Sequence, residues 1–179
     1  MSYSVREMHI GDATSIVNYF WNTDADILYL MGADPNKFPP KEEWEKLIIN
    51  QLELPYDQKE FYYIIWLLDD LPIGHSSINK INFGESAYMH LHVWDISKRK
   101  SGLGYEFLKL SIPIYFEKFN LKQLICEPNT KNIAPNQTLK KVGFEFIKEY
   151  DTVPGWINYY QTVNRYILTK NVYIELNDE

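Results

Sequence analysis

Read as hydrophobic and polar positions, the chain predicts strands and helices joined by short connections. Tyr3 to Met8 is a short strand candidate, and Asp12 stands where an N-cap belongs, ahead of a helix carrying Ile16, Val17, Tyr19 and Phe20. Asp24 to Lys37 keeps neither period and reads as irregular. Pro39 and Pro40 open a helix through about Leu54, with Glu42, Glu43 and Glu45 near its positive end, and Pro55 stops it. Phe61 to Leu68 (FYYIIWLL) is nearly continuously apolar, the pattern of a strand buried on both faces. Asp69 to Pro72 turns the chain into Ile73 to Ile81 as a hairpin, and Gly84 to Ser86 turns it into Ala87 to Trp94. Leu103, Phe107, Leu110 and Ile114 mark a helix from Gly102 to about Phe119, followed by a strand from Leu121 to Cys126. Strand, long helix and strand predict a βαβ crossover and a locally parallel pair. Asn136 to Val142 reads as a short helix capped by Gly143. Phe144 to Tyr150 and Gln161 to Thr169 are the last strands, joined by a loop holding Pro154, Gly155 and Trp156. No repeat or linker interrupts the order, so one α/β or α+β domain over residues 1–179 is expected.

Composition narrows the function classes. A chain of 179 residues buries a core without disulfides, and its one cysteine, Cys126, excludes an internal disulfide, a zinc ribbon or a redox CxxC. The balance of 24 Asp and Glu against 18 Lys and Arg, net charge -6, argues against a nucleic-acid binder. No run approaches the length of about 18 apolar residues that spans a membrane. Met1 to Gly11 lacks the basic-then-apolar order of a signal peptide, so a soluble cytoplasmic protein is expected. Pro113 inside the long helix predicts a kink.

The segment from Trp94 to Tyr105 leaves a strand and enters a helix, and it holds two of the chain's eight glycines. Lys98, Arg99 and Lys100 form a cationic run in an otherwise acidic chain. Backbone N–H groups at a helix N-terminus carry partial positive charge, and glycines there admit close approach of a phosphate. The segment is neither a Walker loop nor a GxGxxG, since no GK[ST] follows and Phe107 takes the third glycine's place. Seen alone, a solvated turn before a helix explains it equally well.

Arg99-x-x-Gly102-x-Gly104 at this junction resembles the pyrophosphate loop of the GNAT N-acetyltransferase superfamily, which binds acetyl-CoA. Asn132 also precedes the Gly143-Phe144 pair by eleven residues, and the hairpin entry Leu71 to Ser76 (LPIGHS) is similar to that family's turn between its second and third strands. The element order agrees over nearly the whole chain, most firmly from Phe61 to Tyr150. Within the superfamily the chain looks most like the branch of ribosomal-protein N-terminal acetyltransferases and certain aminoglycoside acetyltransferases.

The resemblance implies a single-domain GNAT fold with a mixed central sheet, helices on both faces and a parallel crossover at the cofactor site. It implies acetyl transfer from acetyl-CoA to a primary amine of a small molecule, directly and without metal. The alternatives are a protein N-terminus or lysine as acceptor, or a CoA-binding regulatory module without turnover. It assigns cofactor binding to Val93, Trp94, Arg99, Lys100, Ser101, Gly102, Leu103, Gly104, Tyr105 and Asn132, with the pantetheine arm where two parallel strands splay apart. A homodimer is compatible with it.

For the base, His90 and His92 lie two apart on a strand and share a face with Tyr88 and Trp94. Hydrogen-bonded core histidines are the plain alternative, and a two-His metal site lacks a carboxylate motif to complete it. Glu127, at the end of the next strand, is the second candidate. Many relatives carry a Tyr acid four residues before the Gly-Phe pair, but Leu139 stands here, and Pro135 replaces a small polar residue. That leaves Tyr150, Tyr159, Tyr160 or water as the acid. Cys126 reads as a small core residue. Tyr88 and Trp156 are the candidate acceptor-binding residues. Trp21, Tyr29, Trp44 and Tyr159 are further wall aromatics, with Asp24, Asp26 and Asp151 suited to a cationic amine.

Overall fold

The computed structural model describes residues 1–95, 97 and 102–177. The elements run β1 (Tyr3–Glu7), α1 (Asp12–Asn22), α2 (Ala25–Met31), α3 (Lys41–Ile49), β2 (Phe61–Leu68), β3 (Leu71–Asn82) and β4 (Ser86–Val93). They continue with α4 (Leu103–Lys118), β5 (Gln123–Cys126), α5 (Ile133–Val142), β6 (Glu145–Thr152), β7 (Gln161–Thr169) and α6 (Lys170–Asn177). The seven strands form one sheet in the order β1-β2-β3-β4-β5-β7-β6. Among the described residues only β4 and β5 pair in parallel; the other neighbours are antiparallel. This is the α/β fold with a mixed sheet and a parallel crossover that the sequence predicts.

The sheet separates two cores, which explains the unbroken apolar run of β2. Tyr62, Ile64 and Trp66 join the core under α4 and α5, whereas Ile65 joins the core under α1 and α3. On β4 the alternation is equally clear. Ala87, Met89, Leu91 and Val93 pack toward α4, and Trp94 packs with the opposite core.

The structure corrects several boundaries. Asp12 is the first helical residue of α1 and Gly11 takes the N-cap place. The Asp12 carboxylate accepts the His9 N–H at 2.7 Å and pairs with Arg6, so its acid tethers the strand-to-helix turn. The segment expected to be irregular holds α2 and a 3-10 turn at Pro35–Lys37. A helix of seven residues is too short to show a period. α3 ends at Ile49 and not near Leu54, and α5 begins at Ile133, ahead of the expected Asn136.

α6 lies beyond the last predicted element and packs on α4 and α5. Pro113 cannot donate to the Lys109 carbonyl one turn back, and the Tyr173 hydroxyl of α6 lies 3.5 Å from that oxygen. Gly143 ends α5 at φ +110, and a Cβ there would sit 2.3 Å from Leu176 of α6. Among the described residues, no helix is long and apolar enough to cross a membrane.

Candidate active site

The site begins where two strands part. β4 and β5 pair only through Ser86–Tyr88 and Gln123–Ile125. Just beyond, the Cys126 thiol donates to the Met89 carbonyl at 3.2 Å, and the strands separate. The Trp94 N–H donates to Ile73 O at 2.9 Å, so alternate residues of β4 turn their main chain toward β3. By that alternation Leu91 and Val93 turn theirs toward the gap.

The N-terminus of α4 closes one end. Gly102 precedes the helix at φ +82, a conformation that favours glycine, and among the described residues no atom lies within 4 Å of where a Cβ would stand. The N–H groups of Leu103 and Gly104, in the first turn, have no partner within the helix. Gly104 packs close to α5, with a Cβ position 3.4 Å from Thr138. A cleft of about 230 Å³ runs from this helix end through the gap to Tyr19 and Met31 on the far side.

Of the residues expected at the site, His90, His92, Glu127, Val93, Gly102, Leu103, Gly104 and Asn132 line this cleft. Arg99, Lys100 and Ser101 lie outside the described residues. Trp94, Tyr105, Tyr88 and Trp156 are not in its lining. The Trp94 indole donates to His75 Nδ1 at 2.8 Å, within the sheet's other core. Tyr105 faces Lys141 at 4.3 Å, Tyr88 receives a hydrogen bond from Arg165 at 2.8 Å, and the exposed Trp156 meets Trp44 edge-on at 5.6 Å.

His90 and His75 are held neutral. Burial, with Lys80 adding to it, lowers the His90 pKa from 6.5 to about 4. Its Nε2 lies 3.1 Å from Asn79 Oδ1; an amide oxygen only accepts, so the ring carries its proton on Nε2 and presents a lone pair at Nδ1. His92 Nδ1 lies 3.4 Å from the Tyr19 hydroxyl. Behind it stands His75, its ring centre 4.9 Å from that of His92, fully buried and lowered to about 3 chiefly by burial.

Glu127 is committed to partners. Its carboxylate, 5% exposed, accepts from Arg165 Nε at 2.7 Å and from the Tyr150 hydroxyl. Burial and that carboxylate push Tyr150 up to about 12. Tyr159 donates to the Tyr29 carbonyl at 2.5 Å, and Tyr160 points largely into solvent. None of these three tyrosines lines the cleft. Burial raises the Cys126 thiol pKa, so it stays protonated near neutral pH.

The acceptor end contains residues that no sequence motif marks. Gly32, at φ +74, caps α2, and its carbonyl accepts from Asn158 Nδ2 at 2.8 Å, Gln161 Nε2 at 2.9 Å and Tyr159 N at 3.3 Å. Asp34 N donates to Ile157 O at 2.8 Å, so the loop after α2 is joined to the loop before β7. Gln161 Oε1 accepts from Asn129 at 2.9 Å, carrying the network to the end of β5. Tyr19, Met31, Asn129, Asn158 and Gln161 therefore share one wall although they come from three distant segments. Only the helical spacing of Tyr19 beside Phe20 offered a signal, and it reads equally as core. Asp24, Asp26 and Asp151 do not line the cleft, contrary to the acidic wall expected there. Among the described residues, no cluster of His, Cys, Asp and Glu forms a metal site.

One space reached from a helix N-terminus on one side and from an aromatic, amide-rich wall on the other is the site of a two-substrate transferase. The sequence matches the acetyltransferase (GNAT) domain family over residues 4–145. The chain belongs to this family and is an acyltransferase, as the loop and the Asn-to-Gly-Phe spacing predicted. No curated protein matches it in sequence. Among solved structures, spermidine N-acetyltransferase from Vibrio cholerae in complex with CoA and spermine aligns with a TM-score of 0.78 at 18% identity, covering 96% of this chain and 98% of that one. An aminoglycoside acetyltransferase in complex with coenzyme A and kanamycin gives 0.74 at 16% identity, covering 99% and 100%.

Proposed function

We propose that this chain moves an acetyl group from acetyl-CoA to a primary amine of a small molecule by direct transfer. The carrying observation is the continuous cleft through the β4–β5 gap, which lets a thioester from one end meet an amine from the other. The similar folds bound to CoA with spermine or kanamycin support both halves of that reading.

The residues present fit acetyl-CoA. The left-handed Gly102 and the first-turn N–H groups of α4 make an anion cradle, and the dipole of a 16-residue helix adds to it. Arg99, Lys100 and Ser101 are assigned to the same diphosphate on their place in the motif. In transfer, the amine nitrogen attacks the acetyl carbon, a C–N bond forms, and the carbonyl electrons move onto oxygen. Main-chain N–H groups of β4 that face the gap, Leu91 first, stabilise that oxyanion. The C–S bond then breaks and the thiolate takes up a proton.

The ammonium must first lose a proton. His90 lines the cleft with its Nε2 engaged by Asn79, and its low proton affinity suits a transient relay through Nδ1 more than a resting imidazolium. His92 with Tyr19 flanks the same path. Glu127, tied to Arg165 and Tyr150, holds the floor of the site in place. Direct transfer is favoured because Cys126 is buried and its thiol is bonded to Met89.

The test is thiol release from acetyl-CoA across a panel of small amines and peptides, with mass analysis of the product. Release with small amines supports the reading; release with peptides alone replaces it by N-terminal acetylation. Tight CoA binding with no release replaces it by a binding module. His90→Ala and His92→Ala are expected to lower kcat about 100-fold with CoA affinity kept. An unchanged rate in both variants removes the histidines from the mechanism.

A further inference from the structure

The acceptor end of the cleft has an unusual charge pattern for a site that takes an amine. Its lining includes a single carboxylate among the described residues, Glu127, and that group is already neutralised by Arg165. Around it stand lysines whose contacts are neutral oxygens. Lys80 donates to Pro154 O at 2.5 Å, Lys37 to Asn158 O at 2.6 Å, and Lys131 to the Tyr29 hydroxyl at 3.1 Å. Pro154 and Asn158 are themselves wall residues of the cleft. In a chain of net charge -6, three lysines thus stand just behind the wall residues without belonging to the lining themselves.

Lys80 is aimed there by the backbone. It sits at φ +47, uncommon for a residue with a side chain, in the irregular stretch between Asn79 and Asn82 where β3 loses register with β4. That bulge lays its ammonium 4.6 Å over the ring of Tyr88, whose hydroxyl takes the hydrogen bond from Arg165. Two cations thus converge on one tyrosine beside His90, and the Lys80 charge reaches that imidazole.

The geometry points to an acceptor that carries an anionic group, a carboxylate or a phosphate, as well as its amine, with Lys80 the residue that selects it and Arg165 its neighbour. This inference rests on the acetyltransferase reading and sharpens its substrate class. A polycation would bring further positive charge to a lining whose one carboxylate among the described residues, Glu127, is already paired with Arg165. An amine bearing an anion places its negative end on Lys80 and leaves its nitrogen toward His90.

The experiment compares acceptors that differ only in the anion. Initial rates of thiol release are measured for tyrosine against tyramine, for phosphoethanolamine against ethanolamine, and for spermidine, while calorimetry with CoA runs in parallel. The anionic member of at least one pair is expected to show a kcat/KM about tenfold higher, the worth of one favourable charge contact. The pair that responds says whether carboxylate or phosphate is taken. In Lys80→Met that ratio falls to near one, and in Lys80→Arg it is retained. Lys80 is exposed, so folding of both variants is expected to survive. Preference for tyramine, ethanolamine or spermidine overturns the inference while sparing the acetyltransferase. A ratio unchanged in Lys80→Met overturns it too. CoA binding without turnover of any amine overturns both.

Discussion

The two ends of the cleft are built in opposite ways. The cofactor end is local: Gly102, Leu103 and Gly104 are consecutive, and one helix start supplies both its geometry and its field. The acceptor end is assembled from the loop after α2, the end of β5 and the loop before β7, held together through the carbonyl of Gly32. A local site depends on one backbone conformation. An assembled one depends on the stability of every contact that joins its parts.

Substitution at the two glycines separates these cases most sharply. A Cβ on Gly32 would sit 2.0 Å from the buried Gln161 amide in a left-handed conformation. Gly32→Val is therefore expected to cost about 3 kcal/mol of stability, measured by denaturant unfolding, and to weaken acceptor binding more than CoA binding. A variant as stable as the parent would show that the Gly32 junction does not hold the acceptor wall.

The next largest effect is with pH. His75 and His90 have pKa values of about 3 and about 4 against an ordinary 6.5, so the folded state binds fewer protons than the unfolded state between those limits. Stability is full above about 6.5 and falls as pH drops, by roughly 2 kcal/mol for His75 alone at pH 5. His75→Asn, which keeps an acceptor for the Trp94 indole, is expected to remove about one proton from the slope. Unfolding free energies across this range check it, and an unchanged slope would mean that His75 is not the titrating group.

Gly102→Asp acts at the other end. With no atom of the described residues within 4 Å of a Cβ on Gly102, folding costs little beyond the left-handed strain, about 1 kcal/mol. CoA affinity is expected to fall at least about tenfold, because a carboxylate then faces the cofactor's phosphates. Calorimetry giving the parent affinity would move the cofactor away from this helix end. The smallest effect is expected from Cys126→Ala: about 1 kcal/mol of stability and no change in turnover per folded enzyme. A large loss of rate would reopen a covalent route.

Much of the fold was legible because its elements are long and their burial is regular. β2 alternates between two cores, and α4 buries Leu103 and Phe107 as the spacing predicts, though the face continues through Ile112 and Tyr115, with Ile114 half-buried and Leu110 exposed. The helix-start glycines were legible for the same reason, since backbone conformation leaves a mark in local sequence. α2, with seven residues, left no period to read, and α6 stabilises itself mainly by covering Pro113 and Gly143. The amide network of Gln161, Asn129 and Asn158 was invisible, because a buried hydrogen bond between distant residues has no spacing.

The sequence by itself determined the strand and helix order, the parallel crossover, the acetyltransferase family and the place of the anion-binding helix end. The order, the crossover and the helix end follow from periodicity and backbone preference over neighbouring residues, and the family follows from the resemblance of the Arg99-x-x-Gly102-x-Gly104 loop and the Asn132 to Gly143-Phe144 spacing. Only the tertiary structure decided which histidine faces which partner, that Glu127 is spoken for by Arg165, and that lysines gather where acids were expected. Charge and hydrogen bonding act through space. Residues 80, 127 and 165 become one electrostatic unit only when β3, β4, β5 and β7 lie in that order in one sheet, with Tyr88 of β4 between them.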